Sequence, residues 1–144
     1  MNTKDNSSMF KFSNPKLENL IFFVNNDSVK QKEINFRLDV KYKKIKIVDD
    51  NKTTNVLLTV SNINNDCLID SSDPFGLSIT MSSNFQWPKL TNDDEDKNFL
   101  SINSPSLILS YVRTIVSQIT GSSKFGMQTI PFIDFTTAII DNDD

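Results

Sequence analysis

Residues 33–47 read EINFRLDVKYKKIKI, and their alternation decides the fold. Ile34, Phe36, Leu38, Val40 and Tyr42 fall on one parity; Glu33, Asn35, Arg37, Asp39, Lys41 and Lys43 fall on the other. A side-chain period of two belongs to a strand with one dry and one wet face. After Lys43-Lys44 the apolar parity shifts to Ile45 and Ile47. A one-residue slip would turn the second half inside out, so the pattern predicts a bulge or sharp twist at Lys43-Lys44.

Working outward, Leu17–Val24 (LENLIFFV) is a short apolar run that stops at the turn-forming cluster Asn25-Asn26-Asp27-Ser28. Its length and its Phe22-Phe23 pair favour a strand. Downstream, Asp49-Asp50-Asn51-Lys52 reads as a hairpin turn. Val56, Leu58 and Val60 supply a third strand, closed by Asn64-Asn65-Asp66. Alternation returns at Phe75, Leu77, Ile79 and Met81 and continues through Ser83, Phe85 and Trp87 to Pro88, a fourth strand. Short turns between these runs favour antiparallel neighbours. Residues 1–14 are expected to fray before the first strand, and 141–144 to form a mobile acidic end.

The period changes near Ser104. Residues 91–97, with Asp93-Asp94-Glu95-Asp96, are expected to form a loop kept in water by like charge. They lack the spacing and central glycine of a calcium-binding loop, so no metal site is expected. Ser104 then suits an N-cap and Pro105 the first helical position, and Gly121 suits the stop. Between them Ile108, Tyr111, Val112, Ile115, Val116 and Ile119 recur three or four apart, forming an apolar stripe. Leu107 and Leu109 widen it beyond one face, which predicts burial on more than one side. The expected oligomer interface is therefore Leu107, Ile108, Tyr111, Val112, Ile115 and Ile119. Residues 130–135 look like an extended approach to a short helix capped by Asp134. The whole is an α+β chain of one domain, 1–144: a four-stranded antiparallel sheet, one long helix and a short C-terminal helix.

Composition narrows the chemistry. A chain of 144 residues, 38% hydrophobic and 23% charged, is one ordinary domain. It has no histidine, which excludes His-based triads and His-ligated metals. Cys67 is the only cysteine, which excludes an internal disulfide, and three glycines cannot write a phosphate-binding loop. A net charge of −3 argues against general phosphate binding, so the basic stretch Lys41–Lys46 reads as a solvated strand face and no nucleic-acid partner is expected. No apolar run approaches the roughly 20 residues of a membrane span, and Met1–Ser8 lacks a signal-peptide pattern; the cytoplasm is the expected compartment. Carboxylate pairs such as Asp93-Asp94 sit in the expected loop, so neither catalysis nor a cofactor is expected.

Two stretches at the C-terminal end resemble the SecB family of protein-export chaperones. Pro105-Ser106-Leu107-Ile108-Leu109-Ser110-Tyr111-Val112-Arg113 is similar to the family's helix-opening Pro-Asn-Ile-Leu-Phe-Pro-Tyr-Ala-Arg, with Pro105, Tyr111 and Arg113 identical. Ile130-Pro131-Phe132-Ile133-Asp134-Phe135 is similar to its Leu-Pro-Pro-Ile-Asn-Phe turn. Ser106, Ser110, Phe132 and Asp134 depart from the pattern. The resemblance implies a non-enzymatic holding chaperone that binds unfolded polypeptides without ATP, a homotetramer or dimer with long helices between sheets. It implies a SecA-type motor as a partner or, in relatives from toxin–antitoxin systems, an antitoxin.

A holding chaperone needs an adaptable apolar surface rimmed by charge. Eleven phenylalanines supply flat rings for such a surface. The candidates for client contact are Phe22, Phe75, Phe85, Trp87, Phe99, Phe132 and Phe135. A single-client chaperone and a non-catalytic oligomeric adaptor are the competing readings.

Overall fold

The structure is a computed structural model that describes residues 10–25, 34–64, 69, 73–126 and 140–142. Among the described residues seven strands form one sheet: β1 (Lys11–Phe12), β2 (Lys16–Val24), β3 (Arg37–Tyr42), β4 (Lys46–Val48), β5 (Asn51–Ser61), β6 (Phe75–Pro88) and β7 (Ile140–Asn142). Both β1 and β2 pair with β6, and both β3 and β4 pair with β5. The rows therefore run β1/β2, β6, β5, β3/β4, β7. The four expected strands are β2, the pair β3 and β4 (one expected strand split in two), β5 and β6. The fifth row corrects the expected count: β7 lies parallel on β3, where a mobile end was expected. Residues 11–12, also expected to fray, are held on β6 opposite Gln86 and Phe85.

The parity shift in the opening stretch is a bulge. Tyr42 pairs with Val56 and Lys46 with Thr53, so three residues on one side oppose two on the other. The Lys43 N–H donates to the Asn55 carbonyl at 3.0 Å, and the Thr54 hydroxyl donates to the Lys43 carbonyl at 2.5 Å. These bonds take up backbone groups that the interrupted ladder would leave unpaired. The hairpin closes in two residues, Asp49 and Asp50, with φ of 50° and 67°. Positive φ at both centres is the tight turn whose twist matches antiparallel strands.

A helical run then crosses one face of the sheet. It starts at Asp93, twelve residues before the expected first helical position at Pro105. Helix α1 (Asp93–Asn98) replaces the expected acidic loop, a π-helical segment follows at Phe99–Asn103, and α2 covers Ser104–Gly121. Asn92 caps α1 through a reciprocal box: its side chain accepts from Glu95 N–H at 2.8 Å, and its own N–H donates to Glu95 at 3.3 Å. The acidic first turn is favoured at this end of a helix dipole.

Ser104 is not a cap. Its backbone is helical, its N–H donates to the Phe99 carbonyl five residues back, and its hydroxyl donates to the Leu100 carbonyl. The wide turn falls directly before Pro105, which has no N–H to give and whose ring crowds the preceding turn. Gly121 is the last helical residue; the left-handed glycine is Gly126, φ 77°.

The core lies between this run and the sheet. Val40, Val56, Leu58, Val60, Leu77, Ile79 and Met81 point up from it; Leu100, Ile108, Leu109, Val112 and Val116 point down. Leu109 accounts for the wide stripe: it is buried by the chain's own sheet, so that breadth needs no second subunit. The sheet's other face is mixed: Thr59 is bonded to Thr80 and Asn55 to Asn84 across the strands, while Ile21 and Phe23 of β2, in register with Ser78 and Gly76, are exposed. The expected short C-terminal helix lies outside the described residues. Among the described residues no helix is long and apolar enough to cross a membrane.

Candidate functional site: an aromatic shelf under the π segment

Strand alternation places Phe85 and Trp87 on the helix-facing side of β6, near its end. The same register brings Phe12 of β1 opposite Phe85. The π segment sets Phe99 above them, with ring centroids 5.7 Å from Phe85 and 4.9 Å from Trp87. Phe10 completes the group 5.3 Å from Phe99, edge to face, and Phe12 lies 6.3 Å from Phe85. Such geometries add about 0.5–1.5 kcal/mol per pair beyond simple burial.

The shelf grades from closed to open. Phe85 and Trp87 are its floor, almost fully buried; Phe99 is half-buried; Phe12 and Phe10 keep 39% and 46% of their surface in solvent. On the sheet's opposite face, an open depression of about 280 Å3 runs along Lys11, Thr53, Asn84 and Gln86, which alternate with Phe12, Phe85 and Trp87 along the strands.

One buried carboxylate holds the shelf in place. Asp96, on the inner side of α1, accepts from the Trp87 indole N–H at 2.8 Å, the Thr91 hydroxyl at 2.5 Å and the Lys52 ammonium at 2.5 Å. Lys52 also donates to the Thr91 carbonyl at 2.8 Å. Burial is the largest single influence on the Asp96 carboxyl and pushes its pKa up. The bonds from Lys52, Thr91 and Trp87, with the Lys52 charge, outweigh burial together and hold it below the ordinary carboxylate value. Asp96 thus fixes the tryptophan ring and the start of the helical run in one contact.

The expected client residues separate accordingly. Phe85, Trp87 and Phe99 come together in the shelf, but burial withdraws the first two from direct contact. Phe75 is a correction: it is 1% exposed, deep between Phe22 and Phe125 at the opposite end of β6. Phe22 is half-buried there. Phe132 and Phe135 lie outside the described residues. The sequence reading missed Phe10 and Phe12, although their spacing of two just before a strand was a usable signal.

The expected oligomer residues also divide. Ile108 and Val112 are fully buried against the chain's own sheet, which corrects their assignment to an interface. Leu107, Ile115 and Ile119 are half-buried, and Tyr111 is 37% exposed. The outward face of α2 between them is small and polar, with Ser110, Thr114 and Gly121 exposed.

No protein-family model matches this chain, and no curated protein matches it in sequence. Solved structures do match in shape. One is the SecB-like chaperone Rv1957 of Mycobacterium tuberculosis in complex with a ChAD peptide from the HigA1 antitoxin. It matches at a TM-score of 0.54 and 9% identity, over 90% of this chain and 95% of that one. Another is a protein of unknown function from Streptococcus agalactiae, at a TM-score of 0.57 and 12% identity, over 85% and 97%. At these identities the likeness speaks to architecture: the chain shares its fold with a SecB-like chaperone.

Proposed function

We propose that this protein is an ATP-independent, non-enzymatic holding chaperone that binds unfolded polypeptides and keeps them competent for export. The observation that carries this reading is a graded aromatic shelf, open at Phe10 and Phe12, on a fold shared with a SecB-like chaperone. Rings that lie flat accept varied side chains without demanding one shape. Clients engage as extended segments across Phe10, Phe12 and Phe99. The working form is a homo-oligomer in the cytoplasm, assembled on the outward side of α2 around Leu107, Tyr111 and Ile115.

Light scattering of an unrelated, chemically unfolded client tests this reading. With the protein in stoichiometric excess and no nucleotide, aggregation should be suppressed; unchanged scattering would overturn the proposal. A second reading is favoured by one observation, that the similar mycobacterial chaperone was captured with an antitoxin peptide. In that reading the chain serves a single dedicated client. Pull-down from its own cells separates the two: one small partner supports the dedicated role, and a spread of exported precursors the general one.

A further inference from the structure

The most basic strip of the molecule has no part in the shelf. Lys41, Lys43, Lys44 and Lys46 fall within six residues, on the outer row where β3 bulges into β4, and all four are exposed. None forms an ion pair with a described residue, although the chain as a whole is acidic. Against this row lies β7, in a pairing unlike the rest of the sheet. It is parallel where every other pairing among the described residues is antiparallel, it is three residues long, and it sets Asp141 in register with Lys41. So short a parallel ladder holds weakly. Further along, β4 has no outer partner among the described residues, and Ile47 and Val48 on it are 65% and 51% exposed.

We infer that the outer edge of β3 and β4 is a docking strip for an extended client segment that mixes apolar and acidic residues, and that β7 is its intramolecular placeholder. The strip offers three things to such a segment: open backbone groups for strand addition, ammonium groups for its carboxylates, and Ile47 and Val48 for its apolar side chains. The chain's own Ile140-Asp141-Asn142 has that composition and takes that position, which shows the kind of strand the edge accepts. A client segment of the same kind displaces β7 and extends along β4. This inference rests on the holding reading and adds a second, charge-selective contact to the aromatic one.

The test uses the full chain and a fluorescein-labelled peptide with the sequence of residues 136–144, TTAIIDNDD, followed by anisotropy. Replacing all four lysines by glutamine should weaken binding about tenfold, as should replacing the peptide's aspartates by asparagine, and added salt should weaken the parent complex. Loosening β7 should tighten binding severalfold. Ile140→Pro does this by disturbing the ladder; Asp141→Lys does it by charge while leaving every ladder N–H in place, and serves if the proline variant does not fold. Equal binding by the parent and the four-glutamine chain, or no gain from either β7 substitution, would overturn the inference; so would no binding to any of these proteins. The holding reading fails separately. A chain that binds the peptide through these lysines but does not suppress client aggregation contradicts that reading alone, and the reverse result contradicts the docking strip alone.

Discussion

The two halves of the helical run reach the same sheet by opposite means. Helix α2 is held by apolar burial, with Ile108, Leu109, Val112 and Val116 almost without solvent contact. Helix α1 has the sequence DDEDKN and buries one residue, an aspartate. Its place depends on a capping box at Asn92 and on the contact that joins Asp96 to Lys52, Thr91 and Trp87. Apolar packing tolerates adjustment, whereas a buried charge demands its partners in place. The half held by charge carries Phe99 at its end, so the shelf depends on the more exacting half.

This contrast can be broken most severely from the α2 side. Val112→Asp puts an unpaired carboxylate into the core, and we expect about 4 kcal/mol or more of lost stability. Chemical denaturation should then show little or no folded protein. A variant that keeps its helical circular dichroism would show that the stripe is not what anchors α2.

Asp96→Ala should come next, at about 3 kcal/mol, because it leaves the indole N–H without its acceptor and the half-buried Lys52 without its counter-charge. Its signature is local. Emission from Trp87, the only tryptophan, should shift to the red, and amide exchange should rise across 93–103 while Ile108–Val116 stay protected. Equal loss of protection in both halves would erase the distinction drawn here. Removing the cap with Asn92→Ala should cost about 1 kcal/mol, read as a lower denaturation midpoint with Trp87 emission unchanged.

Acid gives the gentlest test. The folded Asp96 carboxyl is held below its ordinary 3.8, so its contribution is fully present above that value and is lost as pH falls through the lower folded one. Trp87 emission should therefore stay constant from neutral pH to about pH 4 and shift to the red below it. A transition near pH 6 would point to a different group.

Much of the sheet was legible because a period of two survives in the residues themselves. The slip at Lys43-Lys44 announced a bulge, and Asp49-Asp50 announced a turn. The stripe of α2 was equally plain. Helix α1 was not, because its like charges read as a solvated loop, and the Asn92–Glu95 spacing of a capping box was overlooked. The Ser104-Pro105 pair imitates a helix start, and only the preceding π segment shows that the run continues through it. β7 was hidden for a different reason: three residues pair across a hundred positions of chain, and no local pattern encodes that. At the site, the aromatic residues were visible but their depth was not. Phe75, Phe85 and Trp87 share the parity of Leu77 and Ile79, and that shared parity is what sends them into the core.

The central claim is that unfolded polypeptide lies across the open rings of the shelf. A photoreactive benzophenone side chain in place of Phe12, irradiated with a denatured client present, tests it most directly, with the same group at Asn55 on the sheet's far face as the reference. The account predicts covalent client adducts from position 12 and few or none from position 55. Adducts in equal yield from both positions, or none from position 12 while the client stays soluble, would contradict it.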